Sequence, residues 1–141
     1  MTQLTDTDRR FLALAVEEAR RGIAEGGLPI GSVLADGETL LARGRNRFNQ
    51  TGDRTSHAEL DCLRAAGPFE PTETMTLYTT MSPCIMCSGA LVRLGIPRVV
   101  IGDATSFPGK PELMRENGVE VIVTDDADCL GLVAEHEAET P

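Results

Sequence analysis

The segment Thr74–Gly102, "TMTLYTTMSPCIMCSGALVRLGIPRVVIG", contains three elements in order. "TMTLYTT" and "RVVIG" are short runs of β-forming residues, and each reads as a strand. Between them "PCIMCSGALVRLG" is long enough for a helix. Pro83 suits its first turn, because the missing N–H would be unpaired there anyway. Gly95 and Pro97 stop it. Strand, helix and strand in succession make a parallel pair joined by a right-handed crossover.

Outward from that unit the same punctuation continues. From Thr5 to Ala24, Phe11, Leu12, Ala15, Val16, Ala19 and Ile23 recur at helical spacing, and "EGG" closes the helix. "IGSVLAD" and "TLLARGRN" flank Gly37 as two strands of a hairpin. "SHAELDCLRAAG" reads as a short helix ending at Gly67. Beyond Gly102 come a helix at Pro111–Asn117, the strand "VEVIVTD" and a last helix from about Asp125 to Glu139. Strands alternating with helices imply an α/β fold: a three-layer α/β/α sandwich on a central mixed five-stranded sheet, its later strands parallel. Residues 1–141 are expected to form a single domain.

Charge limits the partners. The formal net charge is −9, and nucleic-acid binding draws much of its affinity from Lys and Arg neutralising phosphates. The densest basic stretch, "ARGRNRFNQTGDR" with Arg43, Arg45, Arg47 and Arg54, reads as a solvated loop. No nucleic-acid partner is expected. No apolar run approaches the roughly 20 residues of a membrane span. The N-terminus "MTQLTDTDRR" lacks the pattern of a signal peptide, so no membrane partner and a cytoplasmic location are expected.

There are four cysteines. Cys62 and Cys129 lie in apolar contexts and read as buried small hydrophobes. Cys84 and Cys87, three apart at a helix start, share one face, and the positive end of the helix dipole favours their thiolates. His57 begins another helix. One imidazole and two thiolates are the ligand count of a catalytic zinc site, which keeps one position open. Two other readings stay open: a redox pair, and a structural zinc whose fourth ligand comes from Cys62, Cys129 or His136. Glu59, two residues after His57, would carry protons beside such a metal. It also fits a capping box with Ser56 as N-cap.

The two halves together, His57-Ala58-Glu59 and Pro83-Cys84-Ile85-Met86-Cys87, resemble the H-x-E and P-C-x-x-C pattern of zinc-dependent nucleobase deaminases. "EGGLPIG", "TLYTTMSPCIMCSGAL", "GIPRVVIG" and "VEVIVTDDADC" extend the resemblance, most of all to fungal-type cytosine deaminases. That resemblance implies a homodimer of cytidine deaminase-like fold, with one zinc per subunit. It implies His57, Cys84 and Cys87 as ligands and Glu59 as proton shuttle. The substrate would be a small-molecule nucleobase or heterocycle, with cytosine going to uracil and ammonia.

Substrate residues transfer singly. Asn46, eleven residues before His57, would hydrogen-bond a ring carbonyl, although alone it reads equally well as a turn residue. Ile30 and Gly31 would form a pocket wall and a backbone contact. Met81 and Ser82 would pack near the leaving amine, and Phe107 would cover the ring, where without the resemblance it reads as core. The family's pocket Phe is replaced by Asn49, with Phe48 one place early. The family's C-terminal Trp and Asp have no counterpart before Pro141, and there is no Trp in the chain. Glu135, His136, Glu137 or a partner's tail would then complete the lid. The ring could accordingly be guanine, isoguanine or an aminotriazine. The rivals are a tRNA adenosine deaminase, a nucleoside deaminase and, without catalysis, a zinc-stabilised binding module.

Overall fold

A computed structural model describes residues 4–139. The first helix, α1 (Asp6–Ala24), starts where chemistry predicts. Thr5 Oγ1 accepts from the Asp8 N–H at 3.0 Å, and the Asp8 carboxylate accepts from the Thr5 N–H at 3.0 Å, a reciprocal capping box. β1 (Gly31–Asp36) and β2 (Thr39–Arg45) form the expected hairpin. β3 (Met75–Thr79), α4 (Ile85–Arg93) and β4 (Arg98–Ile101) form the crossover, with Leu77, Tyr78 and Thr79 in register with Val99, Val100 and Ile101. α3 (Ala58–Ala66) precedes β3, whereas α5 (Pro111–Glu116), β5 (Glu120–Val123) and α6 (Ala127–Glu139) follow β4. One helix was not expected: α2, Phe48–Thr51, inside the supposed loop.

The sheet order is β2-β1-β3-β4-β5. β1 pairs antiparallel with β2 and β3, and β3, β4 and β5 run parallel, so the sheet is mixed. Side chains alternate between its faces. Leu34, Leu77, Val99 and Ile101 pack with Cys62 and Leu63 of α3, Leu91 of α4 and Met114 of α5. Val33, Tyr78 and Val100 pack on the other face with Phe11, Ala15 and Val16 of α1 and Cys129 and Leu132 of α6. Cys62 and Cys129 are indeed buried in these two layers. Among the described residues no helix is long and apolar enough to cross a membrane.

The functional corner is set by backbone proximity. At Gly44 of β2, a Cβ would fall against the Cys62 N–H and stand 2.7 Å from Ala58 O and Cys62 Cα. Only glycine lets β2 lie this close to α3, the helix that follows His57 and contains Glu59. Gly44→Ala should therefore cost about 1–3 kcal/mol, as overpacking does. Unfolding by denaturant should show that loss together with a lower zinc content per chain. Unchanged stability would mean that α3 is not held by this contact.

Candidate metal and active site

Two helix starts meet at the carboxyl end of β3. His57 is the N-cap of α3 and Cys84 the N-cap of α4, with Cys87 in the first turn of α4. This places Ser56 outside the cap, and α3 has no side-chain cap hydrogen bond, so the capping box expected of Ser56 and Glu59 does not form. The capping explanation for Glu59 falls with it. His57 Nδ1 lies 3.5 Å from Cys84 Sγ and 3.5 Å from Cys87 Sγ. Bonds of about 2.3 Å to sulfur and 2.0–2.1 Å to nitrogen, at a tetrahedral angle, put N and S about 3.5 Å apart. The three donors fit zinc.

No fourth His, Cys, Asp or Glu among the described residues joins this cluster. Cys62 Sγ instead faces Ala42 O at 3.6 Å, and Cys129 lies across the sheet. A closed four-ligand structural site is thus not built. Burial, with the Glu59 charge added, pushes the Cys87 thiol far above the ordinary range. A cation at the cluster is what makes a thiolate favourable there, which again fits a metal.

Glu59 is 3% exposed. Burial pushes its carboxyl up to about 7, opposed by hydrogen bonds from its own backbone N–H and from Cys87. A bound dication would pull it down again. Around Glu59, His57 and Cys84 lies a cavity of about 210 Å³, walled by Leu28, Ile30, Asn46, Met81, Ser82 and Phe107. This is smaller than the roughly 300–1,000 Å³ pockets of drug-sized ligands and suits a single ring system.

Asn46 is buried, and its Oδ1 accepts from the Phe48 N–H at 2.9 Å. That bond fixes the amide's orientation and leaves its Nδ2 hydrogens to offer a ligand. Ser82 ties two loops together, its N–H donating to Asp103 O at 2.8 Å and its hydroxyl to Pro108 O at 2.9 Å. Those bonds hold the segment carrying Phe107 over the cavity.

Three of the expected contacts lie away from the cavity. Gly31 does not line the cavity: its N–H donates to Thr80 Oγ1 at 3.1 Å and its carbonyl accepts from the Thr80 N–H at 3.0 Å. Asn49 is turned outward on α2, its Nδ2 donating to Gly26 O at 3.1 Å. Glu135 pairs with Arg20 of α1 at 3.0 Å, and neither it nor His136 or Glu137 lines the cavity.

The basic stretch is a solvated loop only around Arg54. Arg43 and Arg45 lie on β2 and pair with Glu18, itself 2% exposed, at 3.2 and 3.0 Å. Asp61 of α3 was missed from the sequence. It accepts from the Arg45 N–H at 3.0 Å and from Arg47 Nε at 3.0 Å, clamping Asn46 between two fixed residues.

A family model for the cytidine and deoxycytidylate deaminase zinc-binding region matches residues 5–103. The chain belongs to this deaminase family. It is therefore a zinc-dependent hydrolase acting on C–N bonds, and His57, Cys84 and Cys87 form a site that could hold the zinc. The deaminase is 38% identical to the cytosine deaminase of Candida albicans, over 98% of this chain and 94% of the relative. It is 32% identical to tRNA-specific adenosine deaminase 2 of Xenopus laevis, over 92% and 80%. Among solved structures, a tRNA:A34 deaminase covers 88% of this chain and 99% of its own at TM-score 0.76 and 28% identity. A guanine deaminase of Nitrosomonas europaea shares the fold over 98% of this chain and 87% of its own, at TM-score 0.78 and 21% identity.

Proposed function

We propose that the enzyme deaminates a free nucleobase, foremost cytosine to uracil and ammonia. The observation that carries this is Asn46 in a single-ring cavity. The Phe48 N–H holds its oxygen and so fixes the amide's orientation, leaving the Nδ2 hydrogens to donate to a ring carbonyl. Cytosine has that carbonyl two ring atoms from the carbon bearing the amine, whereas adenine has none. The similarity to the Candida albicans cytosine deaminase along nearly the whole chain supports the same choice. The net charge of −9 and the pairing of Arg43, Arg45 and Arg47 with acids argue against an anticodon-loop surface.

In this mechanism His57 Nδ1 and the sulfurs of Cys84 and Cys87 hold zinc, which when bound supplies the Lewis acidity that makes water nucleophilic near neutral pH. Glu59 takes the proton released as water attacks the ring carbon bearing the amine. It returns that proton to the adjacent ring nitrogen. A second transfer through Glu59 protonates the departing amine, and ammonia leaves as the carbonyl forms. Asn46 Nδ2 donates to the ring carbonyl and fixes the base's orientation, while Phe107 covers its face. The cavity's apolar wall excludes bulk water.

Ammonia release from cytosine, guanine, isoguanine, adenine, an aminotriazine, the corresponding nucleosides and tRNA tests the reading. Cytosine should give the highest kcat/KM. Deamination of tRNA adenosine without turnover of any free base would overturn it. Turnover of guanine above cytosine would keep the mechanism and change the ring.

A further inference from the structure

The ring cavity does not end at its own wall. A second lobe of about 380 Å³ opens beside it, lined by Leu28, Asn46, Phe48, Arg54 and His57, three of which line both. The shared residues Leu28, Asn46 and His57 place this lobe next to a ring in the inner cavity.

The lobe has a distinct chemistry. Phe48 is 38% exposed there and offers an apolar face. The Arg54 guanidinium makes no hydrogen bond or ion pair with any described residue, in contrast with Arg43, Arg45 and Arg47 nearby. The acids within reach of this segment are engaged elsewhere. Asp53 Oδ1 accepts from the N–H and hydroxyl of Thr55 at 2.8 Å each, Asp61 is held by Arg47, and Glu25 by Arg45 at 2.8 Å.

The backbone around Arg54 is also fixed. The Ser56 N–H donates to Asp53 O at 3.1 Å, the Arg47 N–H to Ser56 O at 2.9 Å, and Arg64 to Thr55 Oγ1 at 3.2 Å. An exposed planar cation without an acidic partner, on an ordered loop and lining a cavity, suits carboxylate or phosphate.

We propose that Arg54 makes the outer lobe a subsite for an anionic substituent, so that a cytosine ring carrying a carboxylate or phosphate outside the ring is deaminated in preference to the same compound without that charge. This rests on the reading of the inner cavity as the site of base deamination. An acidic group on the ring itself and a sugar phosphate would share the same recognition chemistry.

Both sources are tested on the zinc-loaded full chain, with cytosine against its 5- and 6-carboxylates and with cytidine against its 5′-monophosphate. At least one anionic compound should surpass its neutral counterpart by on the order of ten- to a hundredfold in kcat/KM, chiefly through KM, as a hydrogen-bonded charge pair would give. Added salt should shrink the advantage. Arg54→Ala should bring the members of the pair to within about twofold, and Arg54→Lys, lacking the bidentate fork, should restore only part of the preference.

Affinities measured by calorimetry on Glu59→Gln read the subsite independently of turnover. Equal KM for neutral and anionic compounds, or a preference that survives Arg54→Ala, overturns the subsite and leaves base deamination standing. Arg54-dependent binding of the anion with no turnover of any base by the unmodified chain supports the subsite and refutes the reading beneath it.

Discussion

Glu59→Gln should lower kcat/KM for the best substrate by on the order of 10³-fold while leaving one zinc per chain and an unchanged unfolding midpoint. Glutamine has the shape of the buried glutamate but cannot take up and return a proton. The capping alternative predicts the reverse pattern: loss of a box partner costs helix stability, about 1 kcal/mol, and leaves chemistry intact. Since α3 begins at His57 with no side-chain cap, the stability cost should be absent. Zinc analysis, a denaturant curve and steady-state ammonia release on one preparation separate the two. Activity within tenfold of the parent would remove Glu59 from the proton path. Loss of zinc alongside activity would mean that it supports the metal and not the transfer.

The elements legible in the sequence are those with local causes. The β3–α4–β4 unit is bounded by Pro83, Gly95 and Pro97, and α1 carries its own cap at Thr5, so both follow from near neighbours. The metal cluster was legible for another reason: Cys84 and Cys87 share one face of a helix start, and the resemblance to the H-x-E and P-C-x-x-C pattern joins them to His57 across 27 residues. What was missed depends on partners distant along the chain. Arg45 finds Glu18 across 27 residues, and Arg47 finds Asp61 across 14; neither pairing has a local signature. α2 is four residues long, too short for a periodicity to show. Gly31 and Asn49 were carried over by resemblance, and the hydrogen bonds that occupy them, to Thr80 and Gly26, depend on the tertiary fold.

The largest stability effect is expected at a site far from the zinc, Asp8. Its carboxylate, on a residue 3% exposed, receives both terminal nitrogens of Arg98 at 2.8 Å, the Tyr78 hydroxyl at 2.6 Å and the Thr5 N–H at 3.0 Å. It thereby joins α1 to β3 and β4. Breaking a buried pair costs about 3–5 kcal/mol, because the remaining charge is left uncompensated. Arg98 keeps 21% of its side-chain surface in water, so Asp8→Asn should cost about 3 kcal/mol, the lower end. Asp6→Ala is the control: its pair with Arg9 lies on the surface and should matter by less than about 1 kcal/mol.

Hydrogen bonds from Arg98 hold the Asp8 carboxyl well below the usual carboxylate range, against the opposing effect of burial. Its stabilisation is therefore complete above the unfolded value of about 3.9 and is lost as pH falls through the lower folded one. Acid also protonates the zinc ligands, but it does so in both proteins. The difference between parent and Asp8→Asn should thus be constant from about pH 5 to 7 and shrink below about pH 4. Denaturant midpoints across that range provide the check. A gap that stays the same width at low pH would show that the asparagine perturbs packing, and that the ion pair is not what joins helix to sheet.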